Sequence, residues 1–81
     1  MKFTYVYILQ SRSHCDRYYT GITDNLQARL AHHNDGCCDF TRPHRPWRIK
    51  TAIAFTDREQ ARSFELYLKS PSGRAFAKKR L

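Results

Sequence analysis

The chain predicts a small α+β domain, a three-stranded antiparallel sheet covered by helices in the order β-β-α-β-α-α. Three observations carry this expectation. The 81 residues are too few for two domains, so residues 1–81 are read as one unit. Three runs rich in β-branched and aromatic residues are separated by polar, turn-forming segments. Between and after them, apolar residues recur at helical spacing behind recognisable capping residues.

The first run, Phe3 to Leu9, alternates and reads as a strand. Ser11 to Arg17 is polar and of hairpin length, so Tyr18 to Thr23 is expected to return antiparallel to it. Asp24 or Asn25 is a suitable N-cap for a helix through about Asn34, with Leu26, Ala28, Leu30 and Ala31 favouring it. Gly36 sits where a helix C-terminal glycine belongs. The stretch Cys37 to Pro46 is a basic, proline-containing loop, and Arg48 to Phe55 carries the apolar weight of a third strand. Thr56-Asp57-Arg58-Glu59 matches a capping box with Thr56 as the cap. The helix it opens is expected to reach about Ser70, with Ala61, Phe64, Tyr67 and Leu68 at helical spacing. Pro71, Ser72 and Gly73 are expected to break it before a short basic helix, Arg74 to Arg80.

Composition narrows the partners. Fifteen Lys and Arg face seven Asp and Glu, a formal charge of +8. Such an excess concentrates polyanions by long-range attraction, nucleic acid first and anionic membrane second, or else it is a basic surface without a specific partner. No stretch of about 20 apolar residues is present to span a bilayer. The N-terminus lacks the long apolar region and cleavage site of a signal peptide, so a cytoplasmic location is expected. Three cysteines, two of them adjacent as Cys37 and Cys38, make a poor disulfide framework. A structural zinc site built from His14, Cys15, His32, His33, Cys37 and Cys38 is not expected, because adjacent cysteines lack zinc-ligand spacing.

Several residues stand out chemically. Tyr7 and Tyr19 come close if the first two strands pair, either as packed aromatics or as site residues. Arg29 and His33, four apart on one helix, share a face that is either solvated or suited to a phosphate. Glu65 lies between Phe64 and Leu68 on a core-facing helix. A carboxylate there requires a partner, either Arg62, Lys69 or Arg29 in a salt bridge, or a divalent cation.

Tyr5-Val6-Tyr7, Tyr19-Thr20-Gly21, Arg29, His33 and the late helical Glu65 together resemble the GIY-YIG nuclease domain. That family includes the incision domain of the bacterial excision-repair nuclease and many short stand-alone proteins, and this chain is most similar to the stand-alone group. The likeness covers nearly the whole length. Its first triplet reads Tyr-Val-Tyr rather than Gly-Ile-Tyr, and the asparagine that some members carry late in the chain has no counterpart near Phe76-Ala77-Lys78.

The resemblance implies a metal-dependent endonuclease, the alternative being a catalytically silent nucleic-acid-binding module on the same scaffold. Tyr7 and Tyr19 are implied to border the scissile phosphate, one of them assisting or acting as general base. Arg29 is implied to neutralise phosphoryl charge, His33 to bind or relay a proton, and Glu65 to hold one Mg²⁺ or Mn²⁺. Gly21 is implied to allow close backbone approach beneath the site. Contacts to nucleic acid, DNA rather than RNA, are expected from Arg42, His44, Arg45 and Arg48 and from Arg74, Lys78, Lys79 and Arg80. With no separate recognition domain, cleavage is expected to be structure-dependent or weakly sequence-specific. Trp47 is read either as a base-stacking platform or, preferably, as core.

Overall fold

The computed structural model describes residues 2–81. The chain runs β1 (Thr4–Ser11), β2 (Tyr18–Thr23), α1 (Leu26–Asn34), a 3₁₀ turn (Arg42–His44), β3 (Trp47–Phe55), α2 (Arg58–Lys69) and α3 (Pro71–Arg80). This is the expected element order. The sheet is antiparallel throughout with strand order β2-β1-β3, so β1 is paired on both edges and supplies side chains to both cores.

The two faces of the sheet are covered by different helices. Val6 and Ile8 point to one face, where Ala61 and Leu68 of α2 complete the buried core and Ile22, Phe55, Phe64, Ala77 and Leu81 pack around it. Tyr7, Leu9 and Trp47 form the core of the other face with Tyr19, Ile49 and the α1 residues Leu26 and Leu30. An irregularity in β3 serves both. Ile8 pairs with Thr51 but Leu9 pairs with Ile49, leaving Lys50 without a partner across β1. The extra residue reverses the alternation, so Phe55 faces α2 while Ile49 and Trp47 face α1.

The helix ends are set locally. The Asn25 side chain accepts from the Ala28 amide at 3.0 Å and caps α1. Gly36 takes φ +80°, the left-handed conformation that ends a helix without Cβ strain. The capping box at Thr56 does not form. Asp57 is the cap of α2, its carboxylate accepting from the Glu59 amide at 2.9 Å, because the helix begins one residue later at Arg58.

The expected break at Pro71, Ser72 and Gly73 is the first turn of α3 instead. Pro71 occupies N1, where a missing amide hydrogen costs nothing and its fixed φ suits a helix. Ser70 closes α2 and caps α3, accepting from the Gly73 amide at 3.1 Å. The corner is so tight that a Cβ on Gly73 would overlap the Tyr67 backbone carbonyl. Tyr67 itself, expected on the packed face, is 41% exposed and rests along the outer rim against Phe64 and Phe76.

Candidate active site

Tyr7 projects from the middle of β1 toward α1, directly opposite Gly21 of β2. Its phenol lies across that glycine, where a Cβ would overlap the phenol oxygen and the adjoining ring carbon. The close approach at Gly21 is therefore made by the Tyr7 ring. Tyr19, opposite Leu9, shares the face, with ring centroids of the two tyrosines 6.5 Å apart.

Leu26, Leu30 and His33 fall at i, i+4 and i+7 and form the inward stripe of α1. His33 is consequently 1% exposed, packed 4.8 Å from the Tyr19 ring centroid, with Nε2 3.1 Å from the Tyr7 phenol oxygen. The expectation that Arg29 and His33 share one rim needs correction. Four residues advance a helix by about 40° more than a full turn. That offset carries His33 into the core while Arg29 stays exposed in a shallow cleft with Thr23, Asn25, Ala28 and His32.

On its other side, His33 Nδ1 lies 2.9 Å from the Thr41 hydroxyl. Thr41 is 0% exposed and ties the loop to the site. Its hydroxyl donates to the Cys38 carbonyl at 3.3 Å, and its own carbonyl accepts from the Trp47 indole at 2.8 Å. Trp47 is thus core. The sequence offers no signal for Thr41, because a lone threonine in a polar loop has no periodicity to mark it.

Charge at this cluster is displaced from its ordinary behaviour. Burial, reinforced by Tyr19, pushes the Tyr7 phenol well above its usual pKa; Arg29 pulls it down, and Cys38 and Glu65 push it up. The phenol therefore holds its proton in this state. Burial, aided by Arg29 and His32, lowers the His33 pKa and keeps the imidazole neutral near pH 7.

Glu65 is reached from α2. Its side chain is 13% exposed and accepts from Lys69 Nζ at 3.1 Å, so of the three basic partners considered, Lys69 is the one engaged. The Glu65 charge adds to the upward push on the Tyr7 phenol, whereas that of Arg29 opposes it. No group of three or more His, Cys, Asp or Glu able to hold a metal exists among the described residues. A single carboxylate suits a hard cation that takes its remaining ligands from water and a phosphate, and it does not suit zinc. The thiols of Cys15, Cys37 and Cys38 are free.

The basic residues divide into two groups. Those of the loop are engaged locally, Arg42 with Asp39 and the Gly36 carbonyl and Arg45 with the Arg42 carbonyl, while Arg48 of β3 reaches across to Gln10 of β1. His44 is half-buried, in edge-to-face contact with His14 and Trp47, with Nδ1 unpartnered among the described residues. Lys79 and Arg80 are exposed at the end of α3. Arg74 and Lys78 line a groove of about 1130 Å³ together with Arg17, Lys50 and Lys69, and Tyr19 opens into it. Tyr18, 53% exposed, and Phe40, 85% exposed, flank the same groove. Arg17, Lys50 and Lys69 come from three separate elements, so only the tertiary arrangement brings them together. The available signal was Phe40, a bare aromatic in a polar loop.

Comparison with known proteins places this geometry in a family. A family model of the GIY-YIG catalytic domain matches residues 3–80. A UPF0213 protein of Clostridium perfringens is 38% identical over 66 residues, covering 80% of this chain and 69% of that protein. One from Bacillus licheniformis is 35% identical over 69 residues, covering 84% and 69%. The solution NMR structure of a UPF0213 protein from Bacillus halodurans superposes with a TM-score of 0.56 at 31% identity, covering 94% of this chain and 80% of that one.

Proposed function

The chain belongs to the GIY-YIG catalytic-domain family, which is of nuclease type, and from that premise we propose that it is a metal-dependent endonuclease hydrolysing phosphodiester bonds in DNA. The observation that carries the reading is the buried phenol of Tyr7, 3.1 Å from a neutral imidazole nitrogen of His33, with the charges of Arg29 and Glu65 both acting on it. A surface tyrosine needs none of these neighbours.

Each residue has a task in that reaction. A water is activated when it gives a proton to the Tyr7 oxygen as Tyr7 passes its own to His33 Nε2. The resulting hydroxide attacks phosphorus, the bond to the leaving oxygen breaks, and that oxygen takes up the proton that His33 received, returned through Tyr7. Arg29 neutralises charge on the phosphoryl oxygens, and Tyr19 borders the phosphate and holds the His33 ring in place. Glu65, freed from Lys69, would hold one Mg²⁺ or Mn²⁺, which when bound supplies Lewis-acid stabilisation of the leaving oxygen. Arg74, Lys78 and their groove neighbours would position the nucleic-acid backbone without reading sequence, which supports structure-dependent or weakly specific cleavage.

The Glu65–Lys69 ion pair favours a second reading, a binding module without turnover, since it already neutralises the carboxylate assigned to the metal. Supercoiled plasmid separates the two. Nicking in Mg²⁺ or Mn²⁺, abolished by EDTA and reduced at least about 100-fold in Glu65→Ala and Arg29→Ala, is expected of the enzyme. Salt-sensitive gel-shift binding with no nicking in either metal would leave only the module.

A further inference from the structure

The sequence motifs do not include Thr41, yet the geometry makes it the residue on which the direction of proton flow turns. A threonine hydroxyl has one proton to give and lone pairs to receive. At Thr41 two candidates compete for that proton, the Cys38 carbonyl at 3.3 Å and His33 Nδ1 at 2.9 Å. The carbonyl can only accept. If the hydroxyl proton goes to Cys38, Thr41 can only accept from His33, which fixes the imidazole as the Nδ1–H tautomer and leaves the lone pair on Nε2.

That lone pair is where the Tyr7 phenol sits, at 3.1 Å. The phenol is then the donor in its bond to His33. In the opposite tautomer, Nε2–H would point at the Tyr7 oxygen, and the imidazole would have no place to receive the phenol proton. Which way Thr41 turns its single proton therefore separates a cluster that can draw a proton off Tyr7 from one that cannot.

We propose that Thr41 is a positioning residue that locks His33 in the Nδ1–H tautomer, so that Nε2 accepts the Tyr7 proton. In the step this permits, the Tyr7 O–H bond breaks and a His33 Nε2–H bond forms. Tyr7 regains a proton from the attacking water, whose oxygen forms the new bond to phosphorus as the bond to the leaving oxygen breaks, and the imidazolium returns its proton through Tyr7 to that leaving oxygen. The balance closes with water and the phosphodiester alone. Its catalytic meaning rests on the nuclease reading above, but the tautomer itself is a property of the resting protein.

Three further observations agree. The loop is fastened at this point, with the Thr41 carbonyl holding the Trp47 indole, so the hydroxyl is not free to swing away. His33 is 1% exposed, which keeps water from supplying an alternative partner for either nitrogen. The groups facing the imidazole are Tyr7 from β1, Tyr19 from β2, Thr41 from the loop, and Arg29 and His32 from its own helix; burial first, then Arg29 and His32, lower the His33 pKa, so the resting ring is neutral and holds a single N–H to be placed.

Nitrogen-15 NMR of histidine-labelled wild-type protein reads the tautomer without any substrate. The expected spectrum at pH 7.5 shows a protonated Nδ1 and an unprotonated Nε2 on His33; a protonated Nε2 overturns the proposal, whether or not the protein cuts DNA. Thr41→Val is expected to move the ring toward the Nε2–H form and to slow plasmid nicking at least about tenfold with DNA affinity unchanged. Thr41→Ser should restore both. Should Thr41→Val fail to fold, Thr41→Ser and the wild-type spectrum still decide the matter, and a serine variant with the altered tautomer refutes it. Wild-type protein that lacks nicking but shows the Nδ1–H ring would sink the nuclease reading and leave the role of Thr41 in fixing the tautomer standing.

Discussion

The two faces of this sheet are built from the same three strands and behave as different materials. The face under α2 and α3 is sealed by Val6, Ile8, Ala61 and Leu68, apolar groups whose burial is non-directional. The face under α1 buries Tyr7, His33, Thr41 and Trp47, joined by hydrogen bonds between phenol and imidazole, between imidazole and hydroxyl, and from indole to carbonyl. A polar core of this kind is stable only when every member is satisfied, and it fixes one geometry in return. One face holds the fold, while the other holds chemistry in register.

Two glycines test that division with the same added methyl group. Gly73→Ala drives a Cβ into the Tyr67 backbone, which cannot swing aside, and is expected to cost about 3 kcal/mol, or roughly 12–24 °C in melting temperature. Gly21→Ala meets only the Tyr7 ring, which can rotate away. Its expected cost is about 1–2 kcal/mol, but nicking should fall about 100-fold because the phenol is displaced. Calorimetry and plasmid nicking on both variants check the pair; equal melting points with equal activity would erase the distinction.

Tyr7→Phe sharpens it further. Removing one oxygen leaves His33 Nε2 buried without its partner, at an expected cost of about 1–3 kcal/mol. Circular dichroism and DNA affinity should be retained while cleavage is lost, and an active variant would remove Tyr7 from the mechanism.

The smallest effect is on pH. His33 has a folded pKa below the ordinary 6.5, so the unfolded chain takes up the proton more readily. The stability it contributes is whole above about 6.5 and is lost as pH falls from there through the lower folded value. Melting temperature followed from pH 7.5 to 5 should drop more for wild type than for His33→Gln, and parallel curves would remove the buried neutral imidazole as the cause. The buried core of the α2 face, Val6, Ile8, Ala61 and Leu68, has no titrating group.

Much of this was legible before folding was considered. The element order followed from local grammar: alternation in Phe3 to Leu9, a cap at Asn25, a left-handed glycine at Gly36. The misreadings were local as well. Thr56 and Asp57 are both competent caps, and Pro71 marks either the end of one helix or the start of the next, so spacing alone could not choose. Glu65 was visible as an anomaly, a carboxylate on a core-facing helix, whereas Tyr7, Tyr19 and His33 are ordinary for their elements and stood out only as members of an ordered set.

The amino-acid sequence by itself determined which segments are strands and helices, how each one begins and ends, and which unusual side chains they carry, because these depend on neighbours within a few residues. Only the tertiary structure decided that His33 turns inward and Arg29 outward, that Arg17, Lys50, Lys69, Arg74 and Lys78 share one groove, and that Thr41 touches the imidazole. Those outcomes depend on a bulge in β3, a 40° offset on α1 and a hydrogen bond spanning eight residues of loop. Such contacts are fixed by packing between distant parts of the chain, and no local pattern records them.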